Sequence, residues 1–168
     1  MKKLLLIAIA FFALTITSFS QQNSWEKWSW LLGEWQGEGS GQPGQGGGTF
    51  TFAFELDKKI IVRKSSTEFP ATENRSQFIY QDLMVVYQDY MGNPTKAVCF
   101  NNEGYTINYV ISYTEKTIIL TSEKIPNVPI FRLTYTLLDN GTVNTKFEMS
   151  QDGENFMTHI EGKSIKVK

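Results

Sequence analysis

The chain has 168 residues, of which 41% are hydrophobic and 14% aromatic, and its formal net charge is −1. A nearly neutral chain offers no basic surface for nucleic acid or for an anionic membrane, and we expect neither partner. One cysteine, Cys99, and one histidine, His159, exclude an intramolecular disulfide and give little support to a metal site of the His and Cys type.

The first 20 residues have the pattern of a secretory signal peptide. Two lysines open the segment, an uncharged run from Leu4 to Phe19 follows, and Ser18 and Ser20 are the small residues expected before a cleavage site. The run is shorter than the ~20 apolar residues of a membrane-spanning helix, and hydroxyl side chains dilute it. We therefore predict cleavage after Ser20 and a periplasmic or secreted location. A permanent membrane anchor is the competing interpretation.

Removal of these 20 residues from 168 leaves 148. That length suits one domain with its own hydrophobic core and is too short for two. The loss of Lys2 and Lys3 leaves 14 basic against 17 acidic residues, so the net charge becomes about −3. We predict a single domain over residues 21–168.

The segment WEKWSWLLGEWQGEGSG, residues 25–41, predicts a plug and a first strand. Indole and leucine side chains recur at helical spacing, at Trp25, Trp28, Leu31 and Leu32. Gly33 ends this pattern, and Trp35 then lies among glycines at alternating positions, which is typical of sharp coiling or close backbone approach. We expect a short N-terminal helix that plugs one end of a β-barrel.

Ten strand-like segments account for most of the remaining chain, and short turns join most of them. The predicted strands are residues 34–39, 49–56, 60–69, 78–90, 95–100, 105–113, 118–121, 130–138, 143–149 and 156–167. The glycine-rich stretch 41–48 predicts a flexible loop, and Asn140-Gly141 is a strong hairpin signal. Because a sandwich would need longer crossovers, the pattern favours an all-β fold, a ten-stranded antiparallel up-and-down barrel.

A barrel of this size encloses more space than its own side chains fill, so we predict a cavity that opens at one end and binds the ligand. The predicted ligand-binding residues are Trp35, Phe52, Phe54, Arg63, Tyr109 and Arg132. A strand arginine among apolar neighbours must face water or pair with an anion. If the aromatic face of its strand packs outwards, Arg132 points inwards and holds a carboxylate head group. An exposed or internally paired Arg132 is the alternative.

No catalytic constellation is visible in the sequence. A hydrolytic nucleophile needs an oriented base, but the chain has a single histidine near its end and no Gly-x-Ser-x-Gly motif. Cys99, in KAVCF, is predicted to be a small buried residue rather than a reactive thiol. We therefore favour a protein that binds a small apolar or amphipathic molecule, without catalysis and without a cofactor.

Five blocks of the sequence resemble an uncharacterised bacterial family that carries the domain of unknown function 1579 (DUF1579). The family belongs to the lipocalin and fatty-acid-binding-protein superfamily. The blocks are LLGEWQGEG (31–39), DLMVVY (82–87), KAVCFNNEGYTINYV (96–110), FRLTY (131–135) and FEMSQDGENFMTHIEG (147–162). The resemblance implies a lipocalin-like barrel and supplies no substrate.

LLGEWQGEG is also similar to the opening of nitrobindin-like haem-binding barrels, which have ten strands and take haem on a histidine near the C-terminus. His159 lies in a comparable place. The resemblance implies, as an alternative, a haem protein that acts on nitric oxide, peroxide or peroxynitrite with His159 as the proximal ligand. The strand itself does not show which face is inward, because His159 is in phase with both Met157 and Glu161. A solvated histidine is the other interpretation.

A third hypothesis is a structural or interaction module without a cavity. In that case the alternating residues Tyr105, Tyr109 and Tyr113 would form an outer contact surface. The sequence makes no prediction of the oligomeric state.

Overall fold

The computed structural model describes residues 24–39, 47–73 and 76–167. Within these ranges ten antiparallel strands close into one barrel, in which each strand pairs with its sequence neighbours and the first pairs with the last. The predicted all-β, ten-stranded up-and-down barrel is confirmed. The predicted signal peptide and most of the predicted glycine-rich loop lie outside the described residues. Among the described residues, no helix has the length and apolar character needed to cross a bilayer.

The strand bounds follow the sequence pattern closely. The strands are β1 (Gly33–Gly37), β2 (Thr49–Glu55), β3 (Ile60–Phe69), β4 (Phe78–Tyr87), β5 (Lys96–Asn101), β6 (Thr106–Tyr113), β7 (Thr117–Ser122), β8 (Ile130–Leu137), β9 (Val143–Ser150) and β10 (Met157–Lys166). The largest difference is at β4, which was expected to reach Tyr90. It ends earlier because the Asp89 carboxylate accepts hydrogen bonds from the backbone N–H groups of Met91 and Asn93 and turns the chain.

The N-terminal plug, residues 25–32, closes one end of the barrel. Its predicted helix is a single 3₁₀ turn, Glu26–Trp28, with i to i+3 backbone bonds from Trp28 N to Trp25 O and from Leu31 N to Trp28 O, each 2.9 Å. A repeat of three residues per turn places Trp25, Trp28 and Leu31 on the same face, and all three are buried. The 3₁₀ turn therefore buries indole and leucine side chains on one face, as the sequence pattern indicates.

The plug packs on the inward side chains of the neighbouring strands. The Trp28 ring lies 5.8 Å from the Phe52 ring, and its indole N–H donates to Tyr113 Oη at 2.8 Å. The Trp35 indole N–H donates to the Leu31 carbonyl, also at 2.8 Å. Both buried indoles thus have a hydrogen-bond partner, which a buried N–H group requires.

The close backbone approach predicted for the first strand is confirmed at Gly37. A Cβ atom on Gly37 would lie 3.0 Å from the backbone of Gly47. Gly37 N also donates to Gly48 O at 2.8 Å, so the two segments are in direct contact. A side chain at residue 37 would force them apart.

Candidate ligand cavity

The half of the barrel opposite the plug encloses a cavity of about 820 Å³. Its wall reaches the turns that follow β5 and β7, where Tyr105, Ile125 and Val128 lie at the mouth. All three side chains are exposed, so the mouth carries an apolar rim. The volume is within the range of small-molecule sites in proteins, and the cavity predicted from the strand number is present.

Apolar side chains form most of the cavity wall. Two stacked aromatic pairs stand on it: Phe69 with Phe78, whose ring centroids are 4.9 Å apart, and Phe131 with Phe147, at 5.9 Å. The remaining apolar wall includes Phe50, Met84, Ile107, Leu133, Met149 and Ile160. An apolar ligand would lose contact with water along most of its surface inside such a wall.

A buried ion pair on the cavity wall links β3 and β4. The Arg63 guanidinium donates from Nη1 to Asp82 Oδ1, and Ser65 Oγ donates to Asp82 Oδ2 at 2.7 Å. The guanidinium also lies 5.7 Å from the centre of the Phe50 ring. Burial lowers the pKa of Arg63, but its interactions with Tyr135 and Asp82 outweigh this effect and place the pKa above its ordinary value. The guanidinium therefore stays charged, with Asp82 as its counter-ion.

Three buried polar side-chain atoms of the described residues have no hydrogen-bond partner: Arg63 Nε, Tyr135 Oη and Thr145 Oγ1. Arg63 and Thr145 line the cavity, and Tyr135 is the residue paired with Thr145 across β8 and β9. The Phe50 ring lies 6.0 Å from the Tyr135 ring and 5.7 Å from the Arg63 guanidinium, so Arg63 and Tyr135 both lie beside Phe50. Each can donate a hydrogen bond, and an unsatisfied buried donor costs about 1 to 3 kcal/mol.

Away from the mouth, the remaining ionisable groups of the cavity wall are neutral at physiological pH. Burial raises the pKa of the Cys99 thiol to about 12 and also raises the pKa values of Tyr80 and Tyr109 above their ordinary range. Asn101 donates its side-chain N–H to Tyr80 Oη at 3.1 Å. The prediction that Cys99 is buried is confirmed, and a protonated thiol is a poor nucleophile.

Two of the six residues predicted to bind ligand, Arg63 and Tyr109, lie on the cavity wall. Trp35, Phe52 and Phe54 lie outside it, because they belong to the packed half beneath the plug. Phe54 stands edge to face with Trp25 at 5.8 Å, and Trp35 is in contact with the plug through Leu31. Their inward orientation was predicted correctly for Trp35 and Phe52, which are fully buried, but their position along the barrel axis was not.

The inward orientation predicted for Arg132 is wrong. Phe131 and Leu133 line the cavity, so the residue between them points outwards. There Arg132 Nε donates to Glu148 Oε2 at 2.7 Å, and its guanidinium lies 3.8 Å from the centre of the Phe156 ring. The aromatic face of β8 turns towards the cavity instead of packing outwards, and the alternative of a paired arginine is the correct one.

The outer tyrosine surface of the third hypothesis is also wrong. Tyr109 is buried in the barrel, Tyr113 Oη accepts the Trp28 indole N–H, and Tyr105 lies at the cavity mouth. These residues share the inward face of β6 and of the turn before it. The hypothesis of a module without a cavity fails for the same reason, since the interior is hollow at this end.

His159 does not fit the role of a haem ligand in this cavity. It is exposed and lies at a β-bulge in β10, between Thr158 and Ile160, where the pairing with β9 shifts. Ile160 lines the cavity, and His159 does not. Within the described residues, no group of three His, Cys, Asp or Glu side chains is placed to hold a metal ion.

Sequence reasoning missed the partner of Arg63. Asp82 is in phase with Tyr80, Met84 and Val86 on β4, and the last two of these are fully buried. An acidic residue in phase with a buried face must find a cation or hydrogen-bond donors, so the pattern of β4 already contained this signal. The unpartnered hydroxyl of Thr145 had no comparable signal, because it depends on contacts between distant strands.

The comparisons with known proteins support the fold. No family model matches the sequence and no curated protein matches it, so membership of the DUF1579 family is not confirmed. Among solved structures, the chain is similar to Rv2717c from M. tuberculosis, with a TM-score of 0.57 and 15% sequence identity, over 87% of this chain and 98% of that chain. This chain therefore shares a barrel fold with that solved structure, and the match covers nearly the whole length of the solved chain.

Proposed function

We propose that the protein is an exported, non-enzymatic barrel that binds a small, largely apolar or amphipathic molecule inside its cavity. The observation that carries the proposal is the hollow half of the barrel, about 820 Å³ in volume, with an apolar wall and an open mouth. Pockets of this kind bind small molecules by removing apolar surface from water, while a few polar groups fix the orientation. Membership of the DUF1579 family remains part of the proposal, supported by the sequence blocks.

Burial of apolar ligand surface in the cavity provides a favourable free energy of binding. Burial of roughly 300 Å² of apolar ligand surface contributes about 7 kcal/mol at 25 cal/mol per Å². Lost translational and rotational freedom offsets part of this gain, so the apolar contacts alone give a dissociation constant weaker than about 10 μM. The N-terminal plug supports such a site, because it fixes the packed half of the barrel and leaves the ligand end free of indole side chains.

The lack of activated groups in the described wall favours binding over catalysis. The Cys99 thiol is protonated, and Arg63 and Asp82 neutralise each other. Export is supported by the charge and hydropathy pattern of residues 1–20, and it would place the protein in the periplasm or outside the cell.

A fluorescence titration with N-phenylnaphthylamine, an uncharged apolar probe, tests the proposal. Leu133→Trp places a bulky ring in the cavity, whereas Thr134→Trp places the same ring on the opposite face of β8. We expect Leu133→Trp to weaken probe binding by roughly tenfold or more, because it fills the volume that the probe occupies. Thr134→Trp should bind the probe like the unmodified protein.

Native mass spectrometry of the purified protein complements the titration. A co-purified small molecule that is lost from Leu133→Trp and retained in Thr134→Trp would support the proposal. Failure of the folded protein to bind the probe, or equal weakening by both substitutions, would refute it. Circular dichroism of both variants separates a blocked cavity from a misfolded barrel.

A further inference from the structure

The charges on the cavity wall are balanced in its deep part. Among the lining residues that the structure describes, Arg63, Asp82, Glu103 and Glu123 carry the formal charges. Arg63 is paired with Asp82. Glu103 is exposed at the mouth. Glu123 Oε1 lies 3.6 Å from Lys96 Nζ, and Lys96 itself is not part of the wall. The described wall therefore offers an anionic ligand no cation without a partner, and its mouth carries two carboxylates.

In the part of the cavity away from the mouth, two hydrogen-bond donors have no acceptor. Both Asp82 oxygens accept hydrogen bonds, one from Arg63 and the other from Ser65. Arg63 Nε and Thr145 Oγ1 remain without partners, and the Arg63 side chain is 10% exposed. Two unused donor groups beside a neutralised ion pair call for an acceptor that brings no charge.

We propose that the bound molecule has an uncharged oxygen head group, a hydroxyl, carbonyl or ester, which lies beside the neutralised Arg63–Asp82 pair and accepts a hydrogen bond from Thr145 Oγ1 or Arg63 Nε, and that the pair selects against carboxylates. This inference rests on the proposed function and names its ligand class. A carboxylate at the same place would add a second buried anion next to Asp82, with only one guanidinium for both. A neutral oxygen uses the free donors without that repulsion.

The phenols on the wall agree with a neutral head group. Tyr80 and Tyr109 stay protonated, so they add neither a negative charge nor a cation to the site. The stacked pairs Phe69 with Phe78 and Phe131 with Phe147 stand along the wall, where they would contact the apolar body of the ligand. The cavity is thus suited to neutral amphipathic molecules with one oxygen-bearing end.

Competition between two ligands of equal chain length tests the selectivity. Dodecanol and dodecanoate are titrated at neutral pH against protein-bound N-phenylnaphthylamine. We expect dodecanol to displace the probe at a concentration roughly tenfold lower than dodecanoate, because only the carboxylate brings an uncompensated charge. Asp82→Asn leaves Arg63 without its counter-ion, and we expect it to reverse the order of the two ligands.

Thr145→Val provides a second test that does not disturb the ion pair. The substitution keeps the shape of the side chain and removes a buried hydroxyl without a partner, so the variant should remain folded. It should weaken dodecanol several-fold, roughly threefold to tenfold, and weaken the probe less, because N-phenylnaphthylamine has no oxygen to accept the hydrogen bond. The matched control is Thr134→Val, on the opposite face of β8, which should bind dodecanol normally.

The outcomes distinguish this inference from the proposed function. If dodecanoate binds as tightly as dodecanol, or more tightly, the neutral head group is refuted while the cavity remains a binding site. If Thr145→Val binds dodecanol like the control, the hydrogen bond from Thr145 is refuted. If the folded protein binds neither the probe nor dodecanol, the proposed function fails and this inference fails with it.

Discussion

The two ends of the barrel are built from the same ten strands but differ in how they fill the interior. At the plugged end, Trp28, Trp35 and Phe52 are fully buried, and each indole N–H has a hydrogen-bond partner. At the open end, a cavity of about 820 Å³ remains, and Arg63 Nε and Thr145 Oγ1 have no partner. The indole groups of the plugged end are thus satisfied by the chain itself, whereas the open end has donors that a ligand could satisfy.

This difference divides stability and binding between the two halves. Close packing and paired donors lower the free energy of the folded state, so we expect the plugged end to dominate the free energy of unfolding. Unpaired donors and empty apolar volume destabilise the free protein, and a ligand that fills them recovers part of that cost. Substitutions at the two ends should therefore have different signatures.

The largest effect is expected for Trp28→Ala in the plug. The substitution removes a fully buried indole, its contact with Phe52 and its hydrogen bond to Tyr113, so the free energy of unfolding should fall by about 3 to 5 kcal/mol. Urea denaturation followed by circular dichroism measures the change. Trp30→Ala, at a half-buried position of the same segment, is the control and should cost clearly less. Equal losses in both variants would contradict the role assigned to the plug.

A smaller but substantial loss is expected for Asp82→Asn. Removal of one partner leaves the buried Arg63 charge uncompensated, which should lower the free energy of unfolding by about 3 kcal/mol. The double substitution Arg63→Met with Asp82→Leu removes both charges and should cost about 1 kcal/mol or less. A double variant that is less stable than Asp82→Asn would show that the pair itself stabilises the fold.

The outer pair of Arg132 and Glu148 predicts a modest dependence of stability on pH. The hydrogen bond from Arg132 lowers the pKa of Glu148, so the pair stabilises the fold above the ordinary pKa of glutamate. This contribution is lost as the pH falls through the lowered pKa. Because Arg132 is one-third exposed, we expect Glu148→Gln to cost about 1 kcal/mol at neutral pH. The difference between the variant and the unmodified protein should shrink in acid, and denaturation at several pH values would reveal a constant difference if the assignment is wrong.

The smallest effect is expected for His159→Ala. The side chain is exposed at the bulge of β10 and lies outside the cavity wall, so the free energy of unfolding should change by less than about 0.5 kcal/mol. Probe binding should also be unchanged. Haem reconstitution followed by absorbance spectroscopy checks the placement, because a Soret band that requires His159 would contradict it.

Much of the fold follows from local sequence patterns, but the candidate site does not. Alternation such as that of Phe50 and Phe52 identifies a strand and its two faces, and short turns specify its neighbours. The same alternation does not identify the inward face of β8, where Arg132 separates two aromatic or aliphatic residues and either side could be buried. The direction was decided by pairing with β9, which places Phe147 opposite Leu133 inside the barrel.

The sequence by itself determined that ten strands form, that indoles lie ahead of the first, and that Cys99 is buried, but it left open whether the arginine of β3 faces water or pairs with an anion. Only the tertiary structure decided which inward residues pack under the plug and which line the cavity, as the contrast between Phe52 and Phe50 shows. The physical reason is that strand pattern fixes a side chain's face with period two, whereas its depth along the barrel depends on the register between strands that are distant in sequence.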